Sequence, residues 1–447
     1  MERPEYLIQG EEARLFPVLS TTSKEGRTAS IVLACLTKIE EFSVELFSSI
    51  GKKVGKRSEI GCFTEVVFKC RKDAPQDRPD GLIVVKSGAT EWKALVEAKI
   101  GGEVLKEEQI EKYRSIAKEH GIDCIITISN QFATSPDQHP LEAVSKSRSK
   151  IPVYHWSWMY MLTVAELLIS NKNVADADQR VLLYELCRFL THDSAGVKGF
   201  DRMPKEWVDL NKLVSAGGKI PAKSSEADVV VNAWHQETRD LSLILSRQTD
   251  TSVGQKLPKN HQNNRLDRHK DELAVLRETN CLSVKLTIPA AASPLHITAD
   301  LSRKTLEVGM AIRAPDDRKT SKARLNWLLR QVKSEETEDM FVRCKWPGRS
   351  ETTQFALQEV VEDPSICEID KGGLQVNGFE LILAKGLGAK FTQRLNFINE
   401  LERLVPWYYA EYGQNLSEWR KPAPRIERVR DEIKEIDLTG MAEDLEP

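Results

Sequence analysis

No run of apolar residues in this chain approaches the ~18 needed to span a bilayer. The longest candidate, VYHWSWMYMLTVAELLI, carries His, Ser, Thr and Glu. It reads as a buried strand followed by a helix, and no membrane association is expected. There is no CxxC pair and no Cys/His cluster. The eight cysteines are scattered, which argues against a zinc site and against a disulfide framework and suits a reducing, cytoplasmic compartment. The opening MERPEYLIQGEE is acidic and polar, unlike a secretory signal. Charge of one sign is also lacking: 64 Lys and Arg face 67 Asp and Glu, a formal net charge of -3. If nucleic acid is a partner, the basic surface that meets it must be local. No internal repeat and no heptad array is present.

What is present is a chain of 447 residues, 40% hydrophobic, long enough for two or three domains. Residues 29–50 place apolar side chains at near-helical spacing. Residues 60–70, IGCFTEVVFKC, are rich in aromatic and β-branched types and predict a strand. The polar RKDAPQDRP predicts a loop. Residues 82–85 and 92–100 predict strands around the turn SGAT. A charged amphipathic helix follows over 103–120, then strands IDCIITIS and IPVYHW and a helix over 158–169, with helical pattern continuing to about residue 195. The fold class expected is α/β (α+β) with a mixed central sheet.

The stretch RPDGLIVVKSGATEWKALVEAK puts Asp80, Glu97 and Lys99 in apolar, strand-like surroundings, where charge is costly unless something pairs it. With SGAT at the centre of a hairpin, Lys86 pairs with Glu91, whether the loop is counted as four residues or as Gly88-Ala89 alone. Counting back, Asp80 falls opposite Glu97. Opposed residues on one face have Cβ atoms roughly 4.5–5.5 Å apart. Lys99, two residues past Glu97, shares that face, and the Ala98 carbonyl is left beside the group. Two such carboxylates repel unless a cation lies between them. Oxygen ligands suit a hard ion, Mg²⁺ or Mn²⁺, so Asp80, Glu97 and the Ala98 carbonyl are the expected metal ligands. A metal so held acidifies water and neutralises charge on phosphorus. A nearby lysine orients or helps deprotonate that water, or stabilises the pentavalent state.

Pro79-Asp80 followed by Glu97-Ala98-Lys99 resembles the signature of the PD-(D/E)xK nuclease superfamily, and the element order is similar across roughly residues 29–170. The resemblance implies a restriction-endonuclease-like core and Mg-dependent phosphodiester hydrolysis, with Asp80, Glu97 and Lys99 as the catalytic set. Gln109 and Tyr113 resemble the QxxxY pattern of the exonuclease branch, although their spacing from Lys99 is short. Many members add an upstream acid. Glu65 in FTEVVF is the first choice, and Glu40, Glu41, Glu45 and Glu59 compete. Superfamily habit favours DNA over RNA and an endonuclease, and analogy suggests defence against foreign DNA. The alternative is a non-catalytic nucleic-acid-binding or scaffold protein built on a nuclease core.

The expected organisation is a nuclease domain over 1–212, a linker and helical segment over 213–278, an α+β recognition or assembly domain over 279–425, and a charged tail over 426–447. The second domain offers a surface for a homo-oligomer or another protein partner. His155, just ahead of Trp156 and Trp158, is expected as a core or rim residue. Ser129-Asn130-Gln131 is expected as a polar loop. GQKLPKNHQNNRLDRHK is expected as a long basic loop, either a solvated linker or a track for a phosphate backbone. The basic residues of TSKARLNWLLRQVKS, with Arg343, Lys345 and Arg349, could form a nucleic-acid face. KGLGAK reads as a plain turn, and WYYAEY as core or interface.

Overall fold

The computed structural model describes residues 2–16, 24–69, 78–421 and 423. The N-terminal part contains β1 (Leu7–Glu12), α1 (Lys24–Lys38), α2 (Glu40–Ser49), β2 (Glu59–Phe68), β3 (Gly81–Ser87), β4 (Thr90–Ala98), α3 (Glu107–Glu119), β5 (Cys124–Ser129), α4 (Glu142–Lys146), β6 (Val153–Ser157), α5 (Trp158–Ser170) and α6 (Ala177–Leu190). The strands form one sheet in sequence order. β1 to β4 pair antiparallel, whereas β4, β5 and β6 run parallel. The fold is α+β.

Strand alternation divides this sheet into two apolar faces. Ile83, Val85, Ala94, Val96 and Ala98 meet the helices α1, α2, α5 and α6. Leu82, Val84 and Leu95 meet Ile110, Tyr113 and Ala117 of α3. Both faces are covered because the parallel strands need crossover helices. The predicted hairpin register holds: Lys86 pairs with Glu91, Ser87 with Thr90 and Gly81 with Val96. Gly88 takes a positive φ of 62° at the first position of the two-residue turn, where glycine is preferred.

The second part contains α7 (Glu206–Ser215), α8 (Ser225–Thr249), β7 (Gly254–Gln255), α9 (Lys259–Asn263), α10 (Arg265–Thr279), β8 (Cys281–Thr287), β9 (Leu295–Asp300), β10 (Thr305–Arg313), α11 (Ser321–Leu329), β11 (Met340–Lys345), β12 (Thr353–Ala356), α12 (Leu357–Glu362), β13 (Gly378–Gly386), α13 (Ala389–Thr392) and α14 (Arg394–Glu411). Its sheet runs β12-β11-β13-β10-β9-β8-β7 and is antiparallel throughout.

Several elements differ from expectation. The helix expected over 29–50 is two helices, broken at Ile39, which is extended (φ -119°). Ile39, Phe42 and Leu46 are all buried, so the apolar pattern runs through the break and conceals it. The edge strand β1 was not anticipated, because only Leu7 of it is buried. Of the linker and helical segment expected over 213–278, the helix is present as α8, and residues around it pack into a core. Trp207, Leu210, Val230, Trp234, Leu273 and Leu276 join one core with the second sheet. The expected long loop contains α9 and α10, whose polar sequence hides the few core positions of α10. TTQFALQEV, within the expected α+β domain, begins as β12 and turns into α12 at Leu357. α14 continues through Pro406; Tyr408, fully buried and donating to the Leu381 carbonyl at 2.7 Å, anchors the turn beyond the proline. The tail 426–447, Cys70 at the end of the expected strand and residues 71–77 of the expected loop lie outside the described residues.

Candidate active site

The site forms where β3 begins and β4 ends. Asp80 directly precedes the ladder, and its Oδ2 accepts the Ala98 N–H at 2.8 Å, which ties the start of one strand to the end of the other. Gly81 is required by packing: a Cβ there would come 2.8 Å from Leu33 Cδ1 and 3.1 Å from the Phe63 carbonyl oxygen. Glu97, 1% exposed, pairs in register with Thr127 of β5, and the Lys99 N–H donates to the Ile128 carbonyl at 2.8 Å. A parallel neighbour therefore holds the backbone of the motif rigidly on its far side.

The Lys99 ammonium reaches Glu97 Oε1 at 2.7 Å, Glu25 Oε1 at 3.0 Å and the Ala98 carbonyl at 3.0 Å. On the α3 side, the Tyr113 hydroxyl donates to Glu97 Oε2 at 2.7 Å and receives the Gln109 Nε2–H at 3.1 Å. The Gln109 to Tyr113 step, one helical turn, puts Gln109 beside the hydroxyl that meets the carboxylate. Asp80, Glu97, Lys99, Gln109 and Tyr113 thus form one connected group.

Glu65 stands at its rim. Its N–H bonds the Asp80 carbonyl at 3.2 Å, and its side chain pairs with exposed Arg78 at 3.0 Å. It adopts a φ of +51°, an uncommon conformation for a residue with a Cβ. The β1–β2 register shifts between Gln9 and Glu11, close to this point. Glu65 and Asp80 line a cleft of about 240 Å³ with Glu25, Gly26, Thr64, Arg78 and Pro79. The competing acids lie elsewhere. Glu59 pairs with Lys86 at the far end of the meander. Glu41 accepts the Ala175 N–H, the Glu40 N–H bonds Gln179, and Glu45 faces Tyr160.

Glu25 is the acid that sequence reading missed. It falls in the first turn of α1, ahead of the expected helix start. An acidic residue in a first helical turn was the available signal, but only packing brings it to Lys99.

The electrostatics mark the group as incomplete. Burial and the charge of Glu97 push the Asp80 carboxyl well above the usual range, against the opposing pull of the Ala98 N–H and Lys99. Burial also raises Glu25, opposed by Lys99 and reinforced by Glu103 and Glu97. Burial alone would lower the Lys99 pKa. The hydrogen bond and charge of Glu97, the charge of Asp80 and the Glu25 hydrogen bond outweigh it, and the ammonium is held above its ordinary range. With these partners around it, Lys99 carries its positive charge beside Glu97 and Glu25. Glu25 Oε2 is buried without any hydrogen-bond partner.

These features fit a divalent cation. The donors are hard oxygens, and the Lys99 ammonium rests on Glu97 and the Ala98 carbonyl, two of the three expected metal ligands. Among the described residues, no three His, Cys, Asp or Glu side chains group closely enough to hold a metal by themselves. The ion would rest on Asp80, Glu97 and the Ala98 carbonyl, with the remaining positions left to water and substrate.

Other expected features are structural. His155 is buried, contacting Thr127 Oγ1 and the Gln131 carbonyl, each at 2.8 Å, and burial lowers its pKa to about 4. Asn130 bridges the carbonyls of Gly101 and Gly196. Part of the expected nucleic-acid face is paired within the chain. Arg343 lies between Glu307, Glu380 and Gln354, and Lys345 pairs with Glu380 at 2.5 Å. Arg324 is buried on the carbonyls of Arg318 and Val376. Among the described residues no helix is long and apolar enough to cross a membrane. No family model, curated protein or solved structure matches this chain.

Proposed function

We propose that this protein is a metal-dependent nuclease that hydrolyses phosphodiester bonds, with DNA as the substrate and Asp80, Glu97 and Lys99 as its catalytic set. The observation that carries this reading is the convergence of the Asp80 and Glu97 carboxylates, the Lys99 ammonium and the Ala98 carbonyl at the edge of a cleft. The element order around it, a helix, an antiparallel meander, a helix and parallel strands, supports the same reading.

Mg²⁺ or Mn²⁺ bound by Asp80, Glu97 and the Ala98 carbonyl would supply Lewis acidity toward a phosphate oxygen and acidify water. The protein's own groups do the rest. The Ala98 N–H fixes one Asp80 oxygen and leaves the other to face the ion. Tyr113 does the same for Glu97 by occupying Oε2. Burial above all, with the charge of Glu97, keeps the Tyr113 hydroxyl protonated, so it remains a donor. Lys99 presents a permanent positive charge to negative charge growing on phosphorus. Glu25 draws the ammonium toward α1 and sets its position.

The test is incubation with closed circular plasmid, single-stranded DNA and RNA, in Mg²⁺ or Mn²⁺ and in EDTA. Cleavage of DNA is expected only with metal, and not by Asp80→Asn or Lys99→Ala. Binding without cleavage under every condition would make the protein a scaffold. Cleavage by both variants would overturn the site assignment.

A further inference from the structure

A second polar pocket lies in the C-terminal part, built from elements that sequence reading left as a loop. β7 pairs only with Leu286 and Thr287 of β8, so the β8 edge opens beyond it. The opening, of about 620 Å³, is lined by Lys256, His261, Arg268 and Lys285, with apolar walls including Leu257 and Val275. That volume suits a small organic ligand.

The Lys256 N–H donates to the Lys285 carbonyl at 2.8 Å, one step beyond the Gln255–Leu286 pair. The two lysines are therefore directly opposed, an arrangement of like charges that is unfavourable by itself. Among the described residues neither pairs with a carboxylate. Arg268 is 1% exposed. Its Nε bonds Glu272 Oε1 at 2.7 Å, and its Nη1 bonds Gln255 Oε1 at 2.8 Å and Thr134 Oγ1 at 3.2 Å. Its Nη2 is buried with no hydrogen-bond partner, and buried donors are rarely left so. Glu272 does not cancel the lysines, because its second oxygen meets His235 at 2.5 Å. His261 is held by Asp271 at 2.8 Å.

We propose that this pocket binds a phosphate-bearing small molecule of nucleotide size. Phosphate oxygens would separate the opposed lysines and accept the free Arg268 Nη2–H, a charge-assisted bond in the geometry arginine offers. The Leu257 and Val275 walls take the less polar remainder of the molecule. A cation is excluded by the excess of positive charge, and a wholly apolar ligand by the buried donor.

The experiment is titration calorimetry in EDTA with ATP, AMP and inorganic phosphate, on the full chain and on K256A/K285A. Both lysines are exposed, so the double variant keeps the fold. Saturable nucleotide binding is expected, weakened about tenfold or more in the double variant, and retained in Asp80→Asn, which separates this pocket from the acidic cleft. The proposal is overturned by the absence of saturable binding, by affinity unchanged in K256A/K285A, or by affinity lost in Asp80→Asn. Binding of a short DNA oligonucleotide that depends on the lysines, without nucleotide binding, would replace the small ligand with a strand.

Discussion

Asp80→Asn should make the protein more stable while removing cleavage. Asp80 and Glu97 continue a paired register, so their charges lie about 5 Å apart in a partly buried site. At an effective dielectric constant of about 20, their repulsion is about 3 kcal/mol. Lys99 offsets part of it, as its charge also pulls on Asp80. The amide keeps an oxygen for the Ala98 N–H and carries no charge. A net gain of about 1–2 kcal/mol follows, or about 2–8 °C in Tm at about 2–4 °C per kcal/mol. The gain should depend on pH. Asp80 holds its proton to higher pH in the folded chain than in the unfolded one, so folding takes up a proton. Its contribution is intact below the unfolded value of about 3.9 and is lost as pH rises through the raised folded value. The difference between variant and wild type should thus be small near pH 4 and grow toward pH 8. Thermal melts in EDTA across this range measure it. Adding Mg²⁺ should raise the wild-type Tm and leave the variant nearly unmoved. A variant less stable than wild type at pH 8, or a gap independent of pH, would refute the reasoning.

Lys99→Met removes the cation that contacts Glu97, Glu25 and the Ala98 carbonyl and leaves buried carboxylates uncompensated. A loss of about 3–5 kcal/mol is expected in urea melts, together with loss of cleavage. Tyr113→Phe keeps the ring and deletes the hydroxyl, with its 2.7 Å bond to Glu97 and its longer contacts to Gln109 and the Arg78 carbonyl. Stability should fall by about 1.5–3 kcal/mol and cleavage about ten- to a hundredfold, and unchanged cleavage would remove Tyr113 from the site. Glu65→Gly relieves a positive φ and should stabilise the chain by about 1 kcal/mol, the Arg78 pair being exposed and weak. A lower urea midpoint would show that Glu65 is not strained. Glu25→Gln should lower cleavage at neutral pH by releasing the Lys99 ammonium, with the fold unchanged by circular dichroism.

Much of the site could be read in one dimension because it is built from a hairpin. A two-residue turn sets register, register sets which side chains oppose, and the period of two sets their face. The opposition of Asp80 to Glu97 and the contact of Gln109 with Tyr113 rest on local spacings of this kind. So does the mixed α+β class, visible in apolar runs between turn signals. Elements governed by few buried residues were hidden: β1 contributes only Leu7, and α10 buries three residues among many charges. Pro406 works in the opposite direction: it is a local stop signal that α14 passes, with Tyr408 packed beyond it.

The sequence by itself determined the local geometry of the motif: a hairpin of known register, carrying two acids and a lysine at its open end. The tertiary structure alone decided what surrounds that end. Packing of α1 on the sheet supplies Glu25, a bulge supplies the strained Glu65, burial sets the acids against each other, and the acids around Lys99 hold its ammonium charged. It also folded a polar segment into α9 and α10, and so shaped a pocket beside β8 at which two lysines are opposed. Contacts between residues far apart in the chain depend on how layers stack, and desolvation depends on everything around a group, so neither is written in the spacing of residues along the chain.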